Sequence, residues 1–239
     1  MDAIPPTSYI KLSQDFLYAV KTGSSTHLYL QQLKTVHMDA LHRELATDNH
    51  KKAFWINLYN AFVQVALSQN PAHYQNRSHF FRQPFITIGQ HRISLDLIEH
   101  GILRRSQLKW GLGYLTNPFA GHLEKKLRVA VLDCRIHFAL NCGAQSCPAI
   151  AFYTPEKIDA QLDMATTNHL QQEALYEASQ NKWLLPAILS WFRGDFGGKS
   201  GIRQLLQRYH TTHSTAKKQP KIVFKKYDWS LRLRSFASG

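Results

Sequence analysis

Residues 51–70, KKAFWINLYNAFVQVALSQN, are apolar on nearly every face and stop before Pro71. A helix without a polar stripe cannot lie on a surface, so this one is expected at the centre of the fold with other elements wrapped round it. Asp48 or Asn49 is an N-cap of the right type. Within the helix Asn57 and Asn60 stand three apart and share a face. A buried amide requires hydrogen-bond partners, so these two either bind a substrate or tie down a neighbouring loop.

The rest of the chain supplies the wrapping. Tyr9–Val20 and His27–Leu45 show helical spacing of Leu, Phe, Tyr and Val after a loose leader up to about Pro6, which predicts a helical cap over residues 1–47 and a main domain over residues 48–239. FITI, GQ and HRISL read as a hairpin turned at Gly89, after which Ser94 caps a helix, SLDLIEHGILRR. Thr154 and Pro155 open a long amphipathic helix, NKWLLPAILSWFRGDFGG holds a short aromatic helix, and IVFKKYDWSLRL reads as strand-like segments. The expectation is an α+β fold: a helix-rich single domain around a small, mainly antiparallel sheet. With 239 residues, 44% of them hydrophobic, the chain is long enough to bury one such core.

All three cysteines, Cys134, Cys142 and Cys147, lie in the run DCRIHFALNCGAQSCP at 133–148. RIHFAL alternates and reads as a half-buried strand carrying Arg135 and His137 on one face. The loop after it places Cys147 just before Pro148, a residue suited to the first position of a helix. A thiol at a helix N-terminus loses its proton more readily, which makes Cys147 the candidate nucleophile. His137, close in sequence, and His100, beside Glu99, are the candidate bases; Glu99 would orient the base or form a surface salt-bridge set with Arg104 and Arg105. The alternative is that the cysteines only pack or form one bridge.

Twenty-nine Lys and Arg against sixteen Asp and Glu give a net charge of +13, which favours an acidic partner, an anionic surface or nucleic acid. The densest stretch, Lys217–Arg234, has Tyr227 and Trp229 among its cations, but a solvated basic edge strand explains it more simply, and nucleic acid is not the expected partner. The N-terminus lacks an export signal and no window approaches a membrane span, so a soluble, cytoplasmic protein is expected; an exported one whose signal is missing would look the same. Three cysteines are no disulfide framework, which suits a reducing compartment. His210 and His213 form an HxxH pair, and Cys142, Cys147 and His137 could make three ligands, but neither set is complete, so no metal or cofactor is expected.

FWINLYNA at 54–61, SLDLIEHGILR at 94–104, RIHFALNCGAQSCPAI at 135–150, WFRGDFG and YDWSL together resemble the family catalogued as domain of unknown function 547, found in bacteria and in plants. The resemblance covers roughly residues 48–232. It implies a site among Asn57, Asn60, Glu99, His100, Arg135, His137, Cys142 and Cys147. The family pattern usually has proline where this chain has Cys134 and asparagine where it has Arg232, so Cys134 is expected to be incidental. The loop is also similar to the nucleophile loop of papain-like cysteine peptidases: Asn141 precedes Cys147 by six positions, where that pattern has an oxyanion-hole amide, and a papain-like arrangement is one form the fold could take.

These readings lead to one expected function: a hydrolase or acyl transferase acting on an amide or thioester bond of a small-molecule or peptide substrate. Cys147 is the nucleophile, His137 or His100 the base, Glu99 the orienter and Asn141 the oxyanion donor, with Asn57, Asn60, Arg135 and Cys142 contacting substrate. Two other classes stay open: a thiol redox protein using Cys142 and Cys147, and a non-catalytic interaction module.

Overall fold

The computed structural model describes residues 8–209 and 219–237. The leader to Pro6, the His210/His213 pair, Lys217 and Lys218 lie outside them. Helix α1 (Tyr9–Thr22) is capped by Ser8 and ends at Gly23, and α2 (His27–Lys34) and α3 (Met38–Glu44) follow where one longer helical stretch was expected. The central helix α4 (Asp48–Gln69) is buried from Lys52 through Gln64. Its N-cap is Thr47, whose hydroxyl accepts from the His50 N–H, one residue earlier than expected. Phe16, Leu17, Leu33 and Leu41 from α1–α3, with Leu45 just after α3, join Phe54, Trp55 and Leu58 of α4 in one apolar cluster, so the N-terminal helices share the main core.

Helix α5 (Arg77–Arg82) leads to the hairpin of β1 (Ile86–Ile88) and β2 (His91–Ile93), with the turn at Gly89 as expected. Ser94 caps the next helix, accepting from the Leu97 N–H. That helix, Leu97–Leu103, is a π-helix, and α6 (His122–Leu127) packs against it. Helix α7 (Ile158–Glu173) starts three residues after Pro155. Then β3 (Leu175–Glu177), β4 (Lys182–Leu185), α8 (Ile188–Trp191), α9 (Gly198–Tyr209) and β5 (Lys221–Phe224) complete the chain. Strand β4 pairs antiparallel with β3 and parallel with β5, and a second apolar cluster including Phe138, Trp183, Leu189 and Leu206 lies beneath this sheet. The fold is α+β and helix-rich with small sheets, as the sequence predicts.

Two corrections bear on the site. RIHFAL is not a strand: Cys134–Phe138 is a short 3₁₀ turn opened by Asp133, whose carboxylate accepts from the Arg135 N–H. Its continuation pairs with the asparagines of α4 instead of a neighbouring strand. Asn60 donates to the Ala139 carbonyl and accepts from the Asn141 N–H, both at 2.9 Å, while Asn57 does the same for both backbone groups of Tyr153. An amide side chain carries one donor and one acceptor at the spacing of a peptide group, so it can stand in for a strand edge. The second correction concerns Cys147, which is followed by irregular chain and not by a helix, so there is no helix dipole to activate it.

Candidate active site

Gly143 turns the thiol loop at φ +87°, where any other residue would be strained and a Cβ would press on Leu67. The C-terminal segment then lies along the loop: Gln145 N–H donates to Ser230 O at 2.8 Å and Arg232 N–H to Gly143 O at 2.8 Å. This pairing carries Tyr227 onto the two cysteines. Cys142 Sγ and Cys147 Sγ stand 3.0 Å apart, too far for the roughly 2.0 Å of a disulfide, so they are two thiols in contact. The Tyr227 hydroxyl reaches Cys147 Sγ at 3.2 Å, and the Cys142 N–H donates to the same sulfur at 3.1 Å.

Electrostatics splits the pair. Burial pushes the Cys147 thiol up, but hydrogen bonds from Cys142 Sγ, the Tyr227 hydroxyl and the backbone outweigh it, and the net shift is downward. Cys142 moves well above an ordinary thiol because its proton is held on Cys147 and the site is buried. Tyr227 is raised too, by burial and the neighbouring sulfurs, and so stays a donor. Of the two sulfurs, the arrangement favours ionisation of Cys147. Cys134, away from the pair, is pushed up to about 11, chiefly by burial, which fits an incidental residue.

Both sulfurs open on a cavity of about 560 Å³ whose far wall comes from the π-helix. Its turns are widened by i→i+5 bonds, such as Arg104 N–H to Glu99 O at 2.8 Å, and Asp96, His100 and Arg104, four apart, share one face. The expected surface salt-bridge set is instead buried: His100 is 8% exposed, Arg104 fully buried, and only Arg105 faces out. Arg104 Nη1 lies 2.9 Å from His100 Nδ1. A guanidinium only donates, so Nδ1 must accept and the His100 proton sits on Nε2, 3.7 Å from Asp96. Burial lowers the His100 pKa further than Glu99 raises it, and the ring is neutral. Glu99 accepts from the Tyr59 hydroxyl at 3.1 Å. Burial raises its carboxyl, but the positive charge around it, that of Arg104 and Lys109 included, brings it below its usual value, so it is ionised.

His137 faces the same cavity, held by a group the motif reading left out. Its Nε2 is 2.8 Å from Asp195 Oδ2, and Phe192 stacks on the ring at 3.9 Å. The Asp195 side chain is fully buried and also receives Arg104 Nε at 2.6 Å. A carboxylate only accepts, so the His137 proton is on Nε2 and Nδ1 is the basic nitrogen. Burial depresses the ring more than Asp195 raises it, and His137 is neutral. Asp195 itself stays ionised, burial being outweighed by His137 and Arg104. Backbone approach makes this possible: Gly113, at φ +84°, packs directly on Asp195, where a Cβ would meet its carboxylate. The signal was present as the aspartate of WFRGDFG.

The structure thus gathers Cys142, Cys147, Glu99, His100 and His137 at one cavity and leaves the other predicted residues off its wall. Asn57 and Asn60 serve the loops described above. Asn141 is buried, its amide donating to Pro148 O at 2.7 Å and accepting from the Gly143 N–H. Arg135 points to the other side of its turn, bonded to Asp133, Asp159 and Asp163 at 2.7 Å each. Among the described residues no hydrogen bond joins Cys147 to a histidine. Nor is any group of three or more His, Cys, Asp or Glu placed to hold a metal ion. Trp191, Tyr227 and Trp229, with centroids 4.5–5.4 Å apart, form the aromatic side of the cavity, and Arg77 lies over Trp229 at 4.6 Å.

No helix among the described residues is long and apolar enough to cross a membrane. No curated protein and no solved structure matches the chain. Residues 43–170 match the family described as "Protein of unknown function, DUF547". That span holds the asparagine-bearing helix, the π-helix and the thiol loop, and the chain belongs to this family.

Proposed function

We propose that the protein is a cysteine-dependent enzyme that hydrolyses or transfers an acyl group from an amide or thioester of a small-molecule or peptide substrate bound in the cavity. The observation that carries this reading is the set of hydrogen bonds on Cys147 Sγ, which favours a thiolate without a histidine in contact. Attack of that thiolate on the carbonyl carbon forms a thioester and expels the amine or thiol, which leaves with a proton from solvent. Hydrolysis then needs a base for the incoming water. His137, neutral and oriented by Asp195, is that group, in the role that an aspartate-held histidine plays in catalytic triads. Glu99, rather than orienting the base, supplies negative charge near both imidazoles as they take up protons. Asn141 has no role in this scheme because its amide serves Pro148.

The test is intact-mass analysis after incubation with activated acyl esters such as p-nitrophenyl acetate. One acyl group on Cys147, absent from Cys147→Ala, is expected; no adduct, or an adduct on Cys142, contradicts the reading.

The 3.0 Å Sγ–Sγ contact favours a second reading, dithiol–disulfide exchange. Here Cys147 attacks a disulfide oxidant, Cys142 resolves the mixed disulfide, and the two thiols lose two electrons and two protons to the oxidant. Cys142→Ser separates the two: it retains acylation of Cys147 in the first case and abolishes reversible loss of both thiols in the second.

A further inference from the structure

We infer that the hairpin between Arg105 and Phe119 is a docking element that seats the protein on the surface of an anionic lipid bilayer. Its side chains are the most exposed apolar group in the described molecule: Phe119 is 90% exposed, Trp110 72%, Tyr114 59%, Leu115 46% and Leu112 43%. Single exposed apolar residues need no explanation, but a cluster of this size on one loop marks an interaction site.

The hairpin is also preformed. Leu108 N–H donates to Leu115 O at 2.8 Å, Tyr114 N–H to Gly111 O at 2.9 Å and Asn117 N–H to Ser106 O at 2.7 Å. Its tip is pinned to the body where Gly194 N–H donates to Leu112 O at 2.7 Å. Little ordering is left to be done on binding.

Composition and charge select the partner. Tryptophan and tyrosine at a loop tip, with leucine and phenylalanine beside them, are the residues that settle at the boundary of headgroups and acyl chains. Arg105 and Lys109, within the hairpin, and Lys125, six residues after Phe119, are exposed, Lys109 while paired with Asp96, on a chain of net charge +13. An anionic leaflet complements that charge, at about fivefold in partitioning per basic residue at the surface. A second copy of the chain, carrying the same charge, is repelled by it. Lys109 reaches Asp96 on the cavity wall at 2.8 Å, so a docked hairpin holds the cavity rim at the bilayer. Nothing in this inference depends on the thiol chemistry.

Vesicle flotation tests it, using pure phosphatidylcholine and an equimolar mixture with phosphatidylglycerol. The protein is expected to float with the mixed vesicles and at least about tenfold less with the neutral ones, with binding weakened by salt. Trp110→Ser with Phe119→Ser, and separately Arg105→Glu with Lys125→Glu, each lower flotation on mixed vesicles by about tenfold or more while circular dichroism is unchanged. Absence of flotation on either vesicle, or flotation that both double variants leave intact, overturns the inference. So does sedimentation velocity showing a dimer that the apolar double variant dissociates, since the hairpin would then bind a second copy.

Discussion

Asp195 does two jobs through one carboxylate. It orients His137 and balances the buried charge of Arg104. These separate by substitution. Asp195→Ala leaves a fully buried guanidinium without its partner, which costs about 3–5 kcal/mol, read as a lowered urea midpoint. Asp195→Asn keeps the shape and much of the stability, but an amide can donate to Nε2 and move the ring proton to Nδ1. Turnover of any ester that acylates Cys147 then falls by about 10² or more, while acylation itself persists. Equal loss in both steps would show that His137 is not the base for water.

At the scale of elements, the thiol loop is held by side chains of α4 and not by a sheet. Asn60→Ala strands the Ala139 carbonyl and the Asn141 N–H, each buried, at roughly 1–3 kcal/mol apiece. Hydrogen exchange should show the Asn141 amide losing protection first, and unchanged protection there would refute the role given to Asn60. The same feature explains what the sequence concealed. The burial of α4 and the hairpin at Gly89 were legible because they follow from periodicity and turn chemistry alone. RIHFAL alternates like a strand, yet Ile136, His137, Phe138 and Leu140 are all buried, so the alternation carried no information about faces. The π-helix has no periodic signature distinct from an α-helix; the four-residue spacing of Asp96, His100 and Arg104 shows a shared face, but not that this face is buried against Asp195. Asp195 and Tyr227 reach the site from far along the chain, and only the motifs WFRGDFG and YDWSL hinted at them.

For the whole molecule, three buried histidines set the response to acid. His100, His137 and His169 all have pKa values depressed chiefly by burial, His169 to about 4. In the unfolded chain each titrates near 6.5, so between 6.5 and the folded values the unfolded state binds more protons. Their contribution to stability is complete above about pH 6.5 and is lost as pH falls toward the folded values, about 4 for His169. The depressed carboxyls of Glu99, Asp133 and Asp195 lose theirs lower still, as pH passes below their unfolded values. Urea unfolding should therefore give a lower midpoint near pH 5 than near pH 7.5. A midpoint that rises on acidification would mean that the histidines are charged in the native state.

The proposed enzyme depends on the hydrogen bonds that favour ionisation of Cys147, and their effect is read from the pH dependence of its alkylation by iodoacetamide, mapped by mass spectrometry. Cys147 should react with an apparent pKa below the roughly 8.5 of a free thiol, ahead of Cys142, and Tyr227→Phe should move that pKa upward. If Cys147 titrates at or above a free thiol, or Cys142 reacts first, the thiolate has been assigned to the wrong sulfur or does not exist, and the enzymatic reading fails with it.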